Sequence, residues 1–444
     1  MGNYGHGDTS WFVHDRFGMF IHWGLYSMPA RHEWIRNYEC ITNEDYQIYF
    51  DLFNPDLFDP KAWAKAAKDA GMRYFVITTK HHEGFCLWDT KYTDYKITNT
   101  PFGRDALREI VDAFRAEGIH VGLYYSLIDW HHPDFTVDPN HPLRNLPNRD
   151  ELNEGRDMKR YAQYMRDQVT ELLTNYGKID VMWFDFSYPV GRNGHDEVWS
   201  KGHPERRSWD GKCGDDWEAE KLIKLVRSLQ PDIVVDNRLD LPGSGDIVTP
   251  EQYTPDAQVT VDGKPVAWEG CQTFSGSWGY YRDELCWKDS KQCIDMLINH
   301  VSRGGNLIMN VGPTGRGFID ERAMERLAAY GKWMKYNNKS IYGCGPAPAE
   351  FPAPVDTRYT YNPETKRLYV HLMNWPFKHI TLPNLAGKVK YAQFLHDGSQ
   401  VLVRDNSKNV NAALNASCPE GAVALELPVQ KPNQEVPVIE LFLN

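Results

Sequence analysis

The chain has 444 residues, more than one average domain, and a barrel of alternating strands and helices takes about 250 of them by itself. Its formal net charge is −11, from 60 acidic and 49 basic residues, with no Lys/Arg run, which argues against nucleic acid or an anionic membrane as partner. The start, "MGNYGHGDTSWF", has neither the basic nor the apolar region of a secretory signal, and no run of about 18 apolar residues occurs; a cytoplasmic protein that does not span a membrane is expected. The eight cysteines form no CxxC pair and no zinc-finger spacing, and read as unpaired thiols in a reducing compartment. The 15 Trp and 24 Tyr serve cores, or sugar sites where flat apolar faces meet C–H surfaces.

Short apolar runs alternate with longer amphipathic ones to about residue 340. "RFGMFIHWG" predicts a strand. "DPKAWAKAAKDAG" predicts a helix capped by Asp59, with Pro60 at its first position and Gly71 as its stop. "MRYFVITTKHHEGF" is the next strand, "RDALREIVDAFRAEGI" a helix closed by Gly118, and "HVGLYYSLIDW" a third strand. "RDMKRYAQYMRDQVTELLTNYG" is a helix that feeds the strand "IDVMWFDF". Helix then strand recurs in "DDWEAEKLIKLVRSLQ" before "PDIVVDNR", and in "SKQCIDMLINHVSRGG" before "NLIMNVGP". Such alternation requires a parallel sheet, and no GxGxxG or GxxxxGK[ST] loop follows a strand, so the expected fold is a (β/α)8-like TIM barrel over residues 1–344. The Pro-rich "GCGPAPAEFPAP" reads as a linker. The short alternating runs after it predict a C-terminal antiparallel β-sandwich over residues 345–444 that carries no visible chemistry.

Barrel enzymes place their working residues at the C-terminal ends of the strands. Those ends carry His22 and Trp23, His81 and His82, Tyr124 and Tyr125, Trp183 and Asp185, and Asn237 and Arg238. Each has a plain alternative: Asp185 as a helix cap, His22 as a satisfied core histidine, the aromatics as core. Polar residues at five strand ends together favour a site. Adjacent strand residues point to opposite faces, so His81 and His82 are expected to diverge, and no HxH or HxxxH accompanies them; no metal site is expected. A second carboxylate is available at Glu251 or Glu269, both read as loop residues. Two carboxyl groups in one pocket are what glycoside hydrolysis requires.

The segments "FGMFIHWGLYS", "TTKHHEGFCLWDTKYTDY", "GLYYSLIDW", "MWFDF", "SWGYYR" and "GGNLIMNVGPTGRG" resemble, in order from about Asp15 to Tyr342, the α-L-fucosidases of glycoside hydrolase family 29. The resemblance implies a retaining exo-α-L-fucosidase without a cofactor, acting on a fucosylated oligosaccharide or glycoconjugate; it leaves open a homo-oligomer. It assigns the nucleophile to Asp185 and the acid/base to Glu251 in "TPEQY", with Glu269 in "WEGC" as second choice. It assigns sugar contacts to His22, Glu33, Trp34, His81, His82, Tyr124, Trp183 and Arg238, the histidines and Arg238 donating to sugar hydroxyls. Many relatives read "HHDGF" and "WFDG" where this chain has Glu83 and Phe186, departures that reshape the pocket without removing its chemistry. The competing readings are a non-catalytic fucose-binding protein and a metal-dependent barrel hydrolase. The loops "HHPDFTVDPNHPLRNLPNRD" and "YPVGRNGHDEVWSKGHPERRSWDGKCGDD" are expected to form outer subsites.

Overall fold

The computed structural model describes residues 4–149, 151–188, 211–405 and 418–444. Eight parallel strands form one sheet: β1 Phe17–Ile21, β2 Tyr74–Lys80, β3 His120–Ser126, β4 Val181–Asp185, β5 Val234–Val235, β6 Ile247–Val248, β7 Ala267–Thr273 and β8 Asn306–Val311. Their order is β5-β4-β3-β2-β1-β8-β7-β6. A parallel bridge between Asp236 and Ile247 joins the two edges, so the sheet closes into a barrel. The barrel's inside is a cluster of alternate strand residues, among them Phe20, Tyr74, Val76, Tyr124, Val181, Trp183, Ile247 and Ile308. Their neighbours Met19, Ile21, Phe75, Ile77, Met182 and Phe184 face the surrounding helices, as the period of two requires.

The helices begin and end where the capping residues sit. Asp59 accepts hydrogen bonds from the Lys61 and Ala62 amides at 3.0 Å, Pro60 opens the helix Pro60–Asp69, and Gly71 follows it with φ +88°. Asp105 caps Ala106–Ala116 in the same way through the Arg108 amide at 2.9 Å.

Two expectations are corrected. The fifth strand keeps only Val234 and Val235, and β6 follows it without an intervening helix, after 11 loop residues. The segment around Glu269, read as a loop, is the seven-residue strand β7, buried along nearly all its length. Its Gly, Glu, Cys and Gln residues are poor strand formers in isolation, and their placement is tertiary. Gly270 is one reason: a Cβ there would run into the His300 ring on the helix Ser290–Ser302.

Beyond the barrel, Thr357–Asn362, Arg367–Leu372, Val438–Leu443 and Val389–Phe394 form a four-stranded antiparallel sheet in that order. His379–Leu382, Val423–Glu426 and Val403–Asp405 form a three-stranded one. Leu368, Val370, Leu372, Phe394, Leu425 and Leu441 fill a shared core. Gly345 already pairs with Tyr361 of the first of these strands. No disulfide joins any of the eight cysteines. No helix among the described residues is long and apolar enough to cross a membrane.

Candidate active site

The strand ends open into a cavity of about 440 Å³. Asp185 is the last residue of β4 and sits 9 % exposed at the cavity's side. A carboxylate so buried needs donors, and two are supplied: Tyr124 OH donates to Oδ2 at 2.8 Å and Arg238 Nη1 to Oδ1 at 2.8 Å. Burial pushes the Asp185 carboxyl above its ordinary value; Arg238 pulls against this, the charge of Glu251 adds to it, and the Tyr124 bond opposes it.

Arg238 Nη1 also donates to Glu251 Oε2 at 2.8 Å. The two carboxylate oxygens therefore lie no further apart than twice that distance, about 5.6 Å, a limit that admits the roughly 5–5.5 Å of retaining glycosidases. The guanidinium is fixed on its other edges by Thr249, with Nε donating to the hydroxyl at 2.9 Å and Nη2 to the carbonyl at 3.2 Å. Its carbon lies 4.4 Å from the Trp183 ring centroid, a cation–π contact. Burial works against its charge, but Asp185, Cys271 and Glu251 hold it above the ordinary guanidinium value.

The histidines arrive neutral. Burial drives His22 down to about 3, with the Asn310 bond opposing; burial and the neighbouring rings take His81 and His82 well below their usual value. Asn310 gives its amide to Trp278 O at 2.6 Å, so its oxygen faces His22 Nδ1 at 2.7 Å and that nitrogen carries the proton. Ser126 donates to Ile128 O at 2.7 Å, so His82 Nδ1 in turn donates to Ser126 Oγ at 2.7 Å. Both rings thus offer an unprotonated Nε2. An unprotonated ring nitrogen accepts a hydrogen bond and does not donate one.

His81 and His82 do not diverge either. They follow the end of β2, past a register shift between Thr78 and Lys80, and both line the cavity with rings 4.0 Å apart. The period-two argument lapses there because the two residues are no longer strand. His82 Nε2 is 4.0 Å from Asp185 Oδ2. Among the described residues no group of three or more His, Cys, Asp or Glu is arranged to hold a metal ion.

Tyr124, Trp183, Trp34 and Asn237 also line the cavity. Trp23 and Tyr125 point the other way, Trp23 onto Phe53, Phe58 and Trp63, and Tyr125 to Gln168 Oε1 at 2.8 Å. Glu33 lies behind the wall: its Oε2 accepts from Ser277 Oγ and the Trp278 and Gly279 amides at 2.8–3.2 Å, and so holds the loop that carries Trp278. Its Oε1 is buried without a hydrogen bond. Glu83 is likewise a brace outside the cavity, accepting from the Leu25 amide at 3.1 Å and from Tyr46 OH. Phe186, by contrast, is a cavity wall at φ +80°, packed on Trp34 and His82 at 5.0 Å each.

Glu269, the second choice for acid/base, does not line the cavity. It is fully buried in the barrel below the cavity, bonded to Tyr74 OH and, at 3.2 Å, to Trp183 Nε1. Burial pushes it up to about 7 against those two bonds. Sequence reasoning passed over Phe20, Cys271 and Trp278, which line the cavity; for Trp278 the signal was available in "SWGYYR". In the second long loop, residues 189–210 lie outside the described residues.

A closed parallel barrel whose strand ends gather two carboxyl groups on one guanidinium, beside neutral histidines and tryptophan faces, defines a glycoside hydrolase. The α-L-fucosidase family model matches residues 6–339, and the chain belongs to that family. It is similar to α-L-fucosidase isoenzyme 1 from Paenibacillus thiaminolyticus, with 44% identity, a TM-score of 0.87 and 98% of each chain covered. It is also similar to a family 29 α-L-fucosidase from Bacteroides thetaiotaomicron, solved as a trapped covalent intermediate with 2-fluoro-fucosyl fluoride, at 28% identity, a TM-score of 0.79 and 99% of each chain. Human plasma α-L-fucosidase is 29% identical over 83% of this chain and 76% of its own.

Proposed function

We propose that the protein is a retaining exo-α-L-fucosidase that removes terminal fucose from oligosaccharides or glycoconjugates, with Asp185 as nucleophile and Glu251 as acid/base. The observation that carries this is the single Arg238 nitrogen bonded to both carboxylates. In the first step an Asp185 oxygen bonds to the anomeric carbon, the bond to the leaving oxygen breaks, and Glu251 gives that oxygen its proton. Glu251 then takes a proton from water, whose oxygen attacks the anomeric carbon and frees the Asp185 carboxylate.

Arg238 favours this alternation. When Asp185 becomes an ester it loses its charge, and the guanidinium then faces Glu251 alone, which favours the ionised form needed for the second step. Sugar recognition is spread over His22, His81, His82, Trp34 and Trp183, with Glu33 supporting Trp278, so loss of the Asp185 carboxylate abolishes turnover but leaves much of the binding.

The test is turnover of 4-nitrophenyl α-L-fucoside by Asp185→Ala and Glu251→Ala, each with added azide. Both variants should lose about 10³-fold or more in rate. Azide should give the β-fucosyl azide with Asp185→Ala, where it replaces the nucleophile, and the α-fucosyl azide with Glu251→Ala, where it attacks the fucosyl-enzyme. The same azide anomer from both, or an Asp185→Ala variant with wild-type activity, would overturn the assignment.

A further inference from the structure

Glu269 is a buried carboxyl beside this site to which the mechanism gives no task. It lies fully buried on β7, below the cavity, with both oxygens engaged. Oε2 accepts from Tyr74 OH on β2, and Oε1 accepts from Trp183 Nε1 on β4 at 3.2 Å. A buried indole N–H needs such an acceptor, and its direction fixes the tilt of the ring. On that ring rest both groups that bind the Asp185 carboxylate: Arg238, 4.4 Å from the centroid, and Tyr124, stacked at 5.6 Å and 20°. Arg238 in turn holds Glu251.

We propose that Glu269 is a positioning residue: through Trp183 Nε1 it sets the indole on which Arg238 and Tyr124 rest, and thereby the place of the Arg238 guanidinium between Asp185 and Glu251. The consequence for turnover rests on the fucosidase reading; the geometry does not. Losing the anchor lets the indole tilt and the guanidinium recede. Arg238 lowers the Asp185 carboxyl against burial, so its retreat leaves Asp185 protonated to higher pH.

Other groups face the same carboxyl. They are His82 after β2, Tyr124 on β3, Asp236 at the end of β5, Glu251 after β6, and Cys271 on β7. Glu269 itself is faced by Tyr74, Trp183, Asp236 and Arg238. Burial lifts Glu269 to about 7, so below that pH neither the Gln nor the Leu variant removes a negative charge. An upward shift confined to Leu therefore reports position.

The experiment uses the full chain. Glu269→Gln keeps an oxygen for Trp183 Nε1, Glu269→Leu does not, and Trp183→Phe removes the N–H with Glu269 intact. The Asp185 titration is read by carboxyl ¹³C NMR, assigned with Asp185→Asn, beside the pH profile of kcat/KM for 4-nitrophenyl α-L-fucoside. In Glu269→Leu and Trp183→Phe the Asp185 midpoint should rise by about half to one pH unit, and kcat/KM should fall about 10- to 100-fold with its acidic limb moving the same way. Glu269→Gln should stay within about 3-fold of wild type with the limb unmoved.

A midpoint unmoved in both disrupted variants, or a Gln variant that behaves as Leu, overturns the proposal. If Glu269→Leu does not fold, Trp183→Phe decides against Tyr74→Phe, which loses the other bond and should leave the midpoint in place. A wild type that turns over no fucoside would count against the fucosidase reading, while the NMR midpoints would still decide the positioning role.

Discussion

Asp185 is held by two donors whose own placement depends on other residues, and Phe186, next in the chain, shows what that placement costs. A side chain at φ +80° is strained, because its Cβ approaches the carbonyl oxygen. The ring it places against Trp34 and His82 offsets that cost. The strain can be isolated by comparing two truncations that both lose the ring. Phe186→Gly should be more stable than Phe186→Ala by about 1 kcal/mol in denaturant unfolding, the reverse of the usual order; equal stability would mean that the backbone relaxes on loss of the ring. Much of the site was legible at this scale, since His22, Tyr124, Trp183, Asp185 and Arg238 all end predicted strands. The two glutamates were not. A Glu in sequence carries no mark of depth, and only the closed barrel shows that Glu251 reaches the mouth while Glu269 lies beneath the floor.

Among the elements, β1 to β4 and β8 were readable because each is an apolar run with a capped helix before or after it. β5 was read too, though over the longer run "PDIVVDNR"; β6 was not, since a two-residue strand has no periodicity to read, and β7 hides behind Gly, Glu and Gln. The turn after β2 shows how such elements are tied together. Glu83 there bonds the Leu25 amide beyond β1 and Tyr46 of the helix Asn43–Leu52. Burial lifts its carboxyl to about 7, as it does that of Glu269. A carboxyl raised in the folded state binds more protons there than in the unfolded chain, so stability falls as pH rises from the ordinary carboxylate value toward about 7. Each group contributes up to about 1.4 kcal/mol per pH unit across that window. The buried neutral histidines, which bind protons only once unfolded, slope the other way, so the effect is read as a difference: from pH 5 to 7, Glu83→Gln and Glu269→Gln should each gain stability relative to wild type. A wild-type stability that rises across the window in step with both variants would contradict the burial argument.

At the scale of the whole molecule, the C-terminal sheets lean on the barrel's outer helices. Trp333 Nε1 donates to Val436 O at 2.9 Å, Thr360 to Ser340 O at 2.7 Å, and Arg358 to Asn299 at 2.8 Å. Tyr369, Val436 and Val438 belong to the same apolar cluster as the barrel's outer layer. A chain cut after residue 344 would expose Trp333 and its neighbours to water. It should be poorly soluble or melt well below the full chain, which itself should unfold in one calorimetric transition; two transitions, with a soluble fragment of unchanged melting temperature, would show two independent units. The change of texture at the Pro-rich linker was legible in sequence. The contacts that bind the two parts were not, because they join residues such as Trp333 and Val436 that no local pattern links.

The central claim, that Asp185 is the nucleophile of a fucosyl transfer to water, is tested most directly by trapping. The wild-type protein is incubated with 2-fluoro-α-L-fucosyl fluoride, whose electronegative substituent slows the second step, then digested and read by mass spectrometry. The account predicts one fluorofucosyl adduct per chain on the peptide containing "WFDF", located at Asp185 by fragmentation and absent from Asp185→Ala. An adduct on Glu251 or Glu269, or none in a protein that turns over the aryl fucoside, would contradict it.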